Sequence, residues 1–341
     1  MQNSTFNLIL RRLIGAIPSL FAVIVVTFMV MRLLPGDPAA FFAGAAASAE
    51  AVEQIRQQLS LNESLLTQFW IYLKDLAQGD MGKSFTTGQP VTHDLMERLP
   101  ASLELTLLGL LIAIVIGLPL GMLAATRPNS WIDHLCRLLT TSGVCLPTFF
   151  TGLVLIYIFY YLLGWAPAPM GRLDLFSSPP QDVTGFYLID SAITGEWAIF
   201  RSALAQLILP AITLALFALA PLARMTRAGM LGVLNSDFIR SAKAAGLPRR
   251  VILVRYALRN TLLPVINTMG MVLSYLLGIN VLVEKVFAWP GIGSYALEAL
   301  IASDYAPVQG FVLSIAVLYV LLNLVVDLVC SLIDPRVERA A

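Results

Sequence analysis

Apolar residues in this chain are gathered into long charge-free runs that alternate with polar segments. A bilayer core about 30 Å thick needs about 20 apolar residues in a helix to cross it. The runs reach that length, and they lack the strict polar–apolar alternation of membrane β-strands. We therefore predict an all-α integral membrane protein with six transmembrane helices, at residues 13–31, 105–126, 144–164, 202–223, 260–283 and 305–326.

The first apolar run has some features of a secretory signal. Arg11 and Arg12 precede it, and Ala43-Gly44-Ala45 resembles a cleavage site. However, residues 13–31 form a longer run than the roughly 7–15 apolar residues of a signal peptide. The cleavage-like residues also lie well beyond the end of the run. We predict a retained membrane anchor.

Lysine and arginine are concentrated in alternate loops, which sets the orientation of a membrane protein. With both termini in the cytoplasm, only four acidic residues fall clearly on the cytoplasmic side, namely Asp133, Asp237, Asp334 and Glu338. Most of the basic residues fall there, whereas the opposite topology would place the arginine-rich loop outside. The basic residues on this side are Arg11, Arg12, Arg127, Arg137, Arg224, Arg227, Arg240, Lys243, Arg249, Arg250, Arg255, Arg259, Arg336 and Arg339.

The predicted spans divide the chain into two parts. Residues 1–99 contain one transmembrane helix and a long periplasmic segment. Residues 100–337 form a five-helix core, with a cytoplasmic loop at about residues 224–260. Other long outer segments follow the third and fifth spans, so the cytoplasmic loop is the main inner feature of the core.

Composition agrees with a membrane protein and excludes several other classes. Hydrophobic residues make up 58% of the chain and charged residues 13%. Disorder requires low hydrophobicity and high net charge, and a soluble enzyme of this size lacks the interior to bury so many apolar side chains. A net charge of +1 argues against nucleic acid as a main partner, because phosphate binding requires a clear cationic excess. Membrane lipid is the expected solvent.

The loop between the fourth and fifth spans contains a short helix with its own start and stop signals. Ser236 is a favourable N-cap, and Asp237 follows it at the positive end of the helix. Gly246 provides a left-handed C-cap, and Pro248 follows two residues later. Between these signals, apolar residues recur at helical spacing: Phe238, Ile239, Ala242 and Ala245.

This helix presents an apolar stripe in a cytoplasmic loop, where no lipid core covers it. One interpretation is that the stripe docks into a groove on a partner protein, a common mode of recognition. The other is that the helix lies on the lipid headgroups. The periodicity fits both interpretations.

The loop resembles the signature of binding-protein-dependent ABC importer permeases. Its general form is Glu-Ala-Ala, three residues, Gly, nine residues, Ile, one residue, Leu-Pro. The chain keeps Ala242, Gly246 and Leu258 at the matching offsets. It departs from the general form in a way that resembles the peptide, opine and nickel branch of the family, at Arg240, Ser241, Tyr256 and Arg259.

Further blocks resemble the same branch in the same order along the chain. They extend the similarity to about residues 6–337, and the chain is most similar to the first permease subunit of dipeptide and oligopeptide importers. The blocks lie at residues 33–39, 79–82, 224–227, 286–293 and 333–336.

The resemblance implies a type I ABC importer permease fold in the inner membrane of a bacterium. It implies a homologous second permease, two cytosolic subunits that bind ATP and Mg²⁺, and a periplasmic substrate-binding protein. It implies no enzymatic activity and no cofactor in this chain. The residues that it assigns to ATPase coupling are Ser236, Asp237, Phe238, Ile239, Arg240, Ser241, Ala242, Lys243, Ala244, Ala245, Gly246, Leu247 and Leu258.

Alternatives to peptide import remain open at this point. Similar permeases carry nickel or metallophores, opines and glutathione. A stand-alone secondary transporter would show intramembrane acidic residues and broken helices. Only Asp327, near the inner end of the sixth span, fits that pattern, and we expect a loop arginine to pair with it.

Two other groups of polar residues are expected to play structural roles. Glu284 and Lys285 are adjacent at the outer end of the fifth span, and we expect an interface pair. His93 and His134 are predicted on opposite sides of the membrane, so we expect no metal site.

Overall fold

A computed structural model describes residues 2–33, 38–43, 47–58 and 60–333. Within these ranges the regular elements are helices, and β pairing is limited to one bridge between Lys83 and Pro90. Residues 34–37 of the block at residues 33–39, the cleavage-like residues 44–45 and residues 334–336 of the last block lie outside the described residues.

The helices follow one another as an N-terminal span, a group of short outer helices, and a core of long helices with short ones between them. Two of the helices, Thr148–Leu155 and Arg249–Val251, continue directly as π-helical segments, at Ile156–Leu162 and Ile252–Leu258 respectively. In chain order the α-helices are α1 Gln2–Leu33, α2 Pro38–Ala43, α3 Ala49–Gln58, α4 Leu65–Ala77, α5 Val91–Thr126, α6 Trp131–Cys145, α7 Thr148–Leu155, α8 Tyr187–Thr194, α9 Trp197–Leu234, α10 Asp237–Ala244, α11 Arg249–Val251, α12 Arg259–Val286, α13 Ile292–Ile301 and α14 Tyr305–Ile333.

Long apolar helices account for most of the predicted spans. By length and composition, five helices of the described chain can cross a membrane, and they contain the first, second, fourth, fifth and sixth predicted spans. The all-α, multi-pass character of the chain is thereby confirmed. These helices are Ile9–Leu33, Val91–Thr126, Trp197–Leu234, Arg249–Val286 and Tyr305–Ile333.

The third predicted span differs from a single long helix. The helical backbone is broken at Leu146, near the start of the predicted span, where the chain is extended between α6 and α7. Pro147 then lies at the N-cap of α7, a position that does not need the missing N–H group. The apolar helix that follows, Thr148–Leu162, is shorter than the five long spans.

Helix α9 lies at the centre of the core and packs along α5, α6 and α12. Small residues allow the close approach of α5 and α9. A Cβ atom on Gly121 would lie 2.6 Å from the Ala223 carbonyl oxygen, so the two backbones are almost in contact there. Leu105, Leu207 and Leu276 belong to the main hydrophobic core and are fully buried.

Helix α1 is peripheral and packs along α14. Near its outer end, the Phe28 ring lies 5.2 Å from the Phe69 ring and stacks on Tyr72, both on α4. The predicted division at residues 99 and 100 stays a prediction, and α5 runs continuously across it.

Candidate functional site

Helix α10 begins at Asp237, as the sequence predicts. Ser236 has the extended backbone of an N-cap, with φ −75° and ψ 155°. Its hydroxyl, however, donates a hydrogen bond to the Val233 carbonyl oxygen and does not accept one from α10. The expected side-chain cap is therefore wrong, because the hydroxyl satisfies the end of α9 instead.

The end of α10 has the geometry that the sequence predicts. Gly246 has a φ of +76°, which a residue with a Cβ atom rarely adopts. The Gly246 N–H donates to the Lys243 carbonyl at 3.0 Å, and the Leu247 N–H donates to the Ala242 carbonyl at 3.2 Å. These two bonds form a Schellman motif and satisfy the last carbonyls of the helix.

The apolar stripe of α10 is covered by the chain itself. Ile239 is fully buried and Ala242 is 8% exposed, and both pack with Ile252. Val233 and Leu247 complete this cluster. Both interpretations of the sequence leave the whole stripe exposed, and this is wrong for Ile239 and Ala242, because the polypeptide after Pro248 folds back over them.

One large apolar side chain of α10 remains on the outside. Phe238 is 46% exposed, and it shares a face of the helix with Ser241 and Ala245. The exposed surface of residues 237–246 is thus one aromatic ring among small and charged residues. Its other exposed members are Asp237, Arg240, Lys243, Ala244 and Gly246.

The thirteen residues assigned to coupling do not form one surface. Residues 236–247 are contiguous in α10 and its two ends. Leu258 packs in a different cluster, with Ala125, Met230 and Ala257, where α5, α9 and the π-helical segment meet. Leu258 therefore anchors the loop to the membrane helices.

A buried carboxylate joins the N-terminal part of α6 to the C-terminal part of α9. Arg227 binds both oxygens of Asp133, with Nε 2.6 Å from Oδ1 and Nη2 2.8 Å from Oδ2. Arg137 and the Asn129 backbone N–H also donate to Oδ2. The hydrogen bond from Arg227 is the largest cause that lowers the pKa of Asp133 to about 2. This carboxylate is therefore ionised at neutral pH and holds the two helices together.

Sequence reasoning did not identify this ion pair. Its two residues are 94 positions apart, so no local pattern places them together. The only indication in the sequence was that Arg227 belongs to the block at residues 224–227, which carries part of the family resemblance.

At the outer end of α12, Glu284 does not pair with Lys285. Glu284 is fully buried and accepts hydrogen bonds from Ser102, from the Asn280 amide at 2.8 Å and from the Ser294 N–H at 2.8 Å. Lys285 instead contacts Glu298 at 2.9 Å. The predicted interface pair is wrong, because neighbouring residues on a helix point in different directions.

Asp327 has the basic partner that we expect, although on a helix rather than in a loop. Its Oδ2 lies 2.9 Å from Arg12 Nε, on α1. This pair neutralises the carboxylate and joins α1 to α14.

His93 lies beside two carboxylates, in contrast to the isolated histidine of the sequence interpretation. Ligand atoms of His93, Asp94 and Glu97 lie within 4.8 Å of one another. Asp94, however, is buried and accepts hydrogen bonds from Thr87 and from Tyr295. The group is therefore part of the outer packing of α5.

Two family models match the chain. Residues 117–339 match the binding-protein-dependent transport system inner membrane component. Residues 5–106 match the N-terminal part of the membrane component of these transport systems. The interval between the two matches lies inside α5.

The relatives of the chain are similar over nearly their whole length. A probable D,D-dipeptide transport system permease of Escherichia coli K12 is 46% identical over 336 residues, which is 98% of each chain. A dipeptide transport system permease of Alkalihalophilus pseudofirmus is 40% identical, over 96% of this chain and 98% of the relative. A glutathione transport system permease of Escherichia coli O6:H1 is 34% identical, over 97% of this chain and 99% of the relative.

Proposed function

The chain belongs to the family of binding-protein-dependent transport system inner membrane components, and we propose that it forms half of the pathway through which an ATP-driven importer moves di- and oligopeptides. Members of this family are multi-pass, non-catalytic permease subunits of ABC importers. The similarity to dipeptide permeases supports a peptide cargo, and the similarity to a glutathione permease makes glutathione the main alternative. Nickel complexes and opines are further alternatives.

The observation that carries this proposal is the construction of α10. Ile239 and Ala242 fasten the helix to its own loop, and Phe238 is left outside. A helix held in this way moves as a rigid part of the permease. Phe238 can then enter a groove on a cytosolic partner without disturbing the loop.

We propose that α10 transmits the motion of ATPase subunits to the membrane helices. It lies between the cytoplasmic end of α9 and the segment that leads into α12. The Asp133–Arg227 pair connects α9 to α6. A displacement of α10 therefore reaches three helices as a rigid-body shift.

The proposed assembly contains this chain, a homologous second permease, two cytosolic subunits that hold ATP and Mg²⁺, and a periplasmic binding protein, in a bacterial inner membrane. The chain itself holds no cofactor in this proposal. Affinity purification of the tagged chain from its own membranes in mild detergent tests this composition. Recovery with a second permease and ATP-binding subunits is the expected result. Recovery as a homo-oligomer without an ATPase, after crosslinking, would contradict it.

The role of Phe238 is tested with a matched control. Phe238→Ala removes the exposed ring from α10, whereas Trp131→Ala removes another exposed ring, 72% exposed, at the start of α6. We expect Phe238→Ala to reduce the ATP-binding subunits that copurify, and Trp131→Ala to leave them unchanged. Equal recovery with the two variants would contradict docking through Phe238.

A further inference from the structure

Polar side chains of α12 and α14 face each other across a groove of about 300 Å³. On α12 they are Asn267, Ser274 and Tyr275, and on α14 they include Tyr319 and Asn323. Ser274 and Tyr275 lie seven and eight residues after Asn267, or about two helical turns, and Asn323 lies four residues after Tyr319, so each set shares one side of its helix. The helices touch at Gly270, where a Cβ atom would lie 2.6 Å from Val326 Cγ2.

This groove is unsuited to lipid. Tyr275 is 58% exposed and Tyr319 is 51% exposed. Among the described residues, their hydroxyls make no hydrogen bond. A polar group without a partner costs several kcal/mol, on the order of 2–7, in an apolar medium. A different face of α14 carries the exposed apolar residues Leu321 and Val325. We conclude that α14 meets lipid on that face and water or a polar ligand on the groove face.

The groove is also close to electrically neutral. Asp327, at its cytoplasmic end, is paired with Arg12 at 2.9 Å. The remaining polar groups are amides and hydroxyls, which both donate and accept hydrogen bonds. Such groups can form hydrogen bonds with the amides of a peptide backbone, whichever side chains the peptide carries. A bare divalent cation would instead require several free carboxylates or imidazoles.

We propose that this groove is a stretch of the translocation path, in which Tyr275, Tyr319 and Asn323 bind the backbone amides of a passing peptide. The proposal rests on the proposed function, since it takes the cargo of the importer to be a peptide. It adds the side chains that line the path and the chemistry by which they accept many peptide sequences.

Thiol labelling tests whether the groove contains water. The parent is the assembled importer with Cys136→Ala, Cys145→Ser and Cys330→Ser, since these are the cysteines of the chain. Asn323→Cys places a thiol in the groove, and Val325→Cys places one on the apolar face of the same helix. In inside-out vesicles we expect a cationic, membrane-impermeant thiosulfonate to label the first variant at least about tenfold faster, because the reactive thiolate forms in water and not in lipid.

Dialanine and ATP are then added together. We expect them to slow labelling of Asn323→Cys and to leave Val325→Cys unchanged. Equal labelling of the two variants, or no labelling of either, would overturn the groove as a path. Fast labelling that dialanine does not slow would overturn its peptide-binding role.

A transport measurement separates this inference from the proposed function. The cysteine-substituted parent could lack ATP-dependent dialanine uptake while the unmodified importer has it. In that case the labelling experiment is left out, and the leucine variants below are made in the importer with its natural cysteines. Asn323→Leu should then raise the half-saturating dialanine concentration about fivefold through the loss of a hydrogen bond, whereas Val325→Leu should not. Equal half-saturating dialanine concentrations for Asn323→Leu and Val325→Leu would overturn the inference. No uptake by the unmodified importer would overturn the proposed function instead.

Discussion

Phe238 and Ile239 are neighbours in the sequence but have opposite surroundings in the structure. Phe238 is 46% exposed, whereas Ile239 is fully buried against Ile252. Helical periodicity identified both as apolar positions of one helix. It could not show which of them is covered, because the cover comes from residues beyond Pro248 that fold back over α10. The structure therefore assigns stability to Ile239 and leaves Phe238 available to a partner.

Substitutions at these two positions should have different effects. Ile239→Ala leaves a cavity in the loop cluster and should destabilise it by about 2–4 kcal/mol. Phe238→Ala alters an exposed side chain and should change stability by less than about 0.5 kcal/mol. Thermal unfolding of the purified permease measures both effects. Similar melting temperatures for the two variants would contradict the assignment.

Asp133 should make the stability of the contact between α6 and α9 depend on acid pH. Its folded-state pKa is about 2, below the ordinary value of about 4. A lowered folded-state pKa stabilises the protein above the unfolded pKa, and this contribution is lost as the pH falls from about 4 through about 2.

Melting temperatures between pH 5 and pH 3 measure this effect. The wild type should lose more stability over this interval than Asp133→Asn, which has no carboxylate to protonate. Asp237→Asn is the control, because the Asp237 side chain is 94% exposed. The melting temperature of Asp237→Asn should fall between pH 5 and pH 3 as much as that of the wild type. A wild type that behaves like Asp133→Asn would contradict the role of this ion pair.

At the scale of elements, α10 could be predicted almost to the residue and the third span could not. The signals of α10 are local, since Gly246 and Pro248 lie beside the helix that they end. The third span has a break near its predicted start, at Leu146 and Pro147, and its second half becomes π-helical. A hydropathy pattern detects the apolar run but contains no information about such a break, because either arrangement satisfies the backbone within the membrane.

The C-cap glycine provides a test of α10 as an element. Gly246 and Gly195 have φ angles of +76° and +77°, and no atom lies within 4 Å of an added Cβ at either position. Gly246→Ala and Gly195→Ala should therefore cost a similar 1–2 kcal/mol or so of backbone strain. Only Gly246→Ala should reduce copurification of the ATP-binding subunits. An equal reduction by Gly195→Ala would show that strain anywhere in the chain has this effect.

The crossing of α5 and α9 gives a second test at this scale. A Cβ atom on Gly121 would lie 2.6 Å from the Ala223 carbonyl oxygen, whereas one on Gly117 would lie 3.5 Å from Leu222 Cβ, an ordinary contact. Gly121→Ala should therefore destabilise the core by about 1–3 kcal/mol through overpacking. Gly117→Ala should be neutral or slightly stabilising, since alanine favours a helix by about 1 kcal/mol. Equal melting temperatures would contradict this packing.

At the scale of the whole molecule, α9 connects the helical core to α10 and to the buried ion pair. It packs along α5 and α12, its C-terminal end leads to α10, and its Arg227 binds Asp133. The sequence predicted the membrane class and most of the long spans, because both depend on local hydropathy. It did not predict the Asp133–Arg227 pair or the burial of Glu284, because Glu284 and its partner Ser102 are 182 residues apart. Such contacts depend on how the helices pack.

The central claim is that this chain carries peptides only as part of an ATP-driven importer. ATP-dependent uptake of labelled dialanine by proteoliposomes tests it most directly, with the purified assembly, its binding protein outside and ATP inside. The account predicts uptake that requires ATP hydrolysis, persists with an uncoupler and is strongly reduced by Phe238→Ala. Dialanine uptake that continues without ATP and stops with the uncoupler would contradict it.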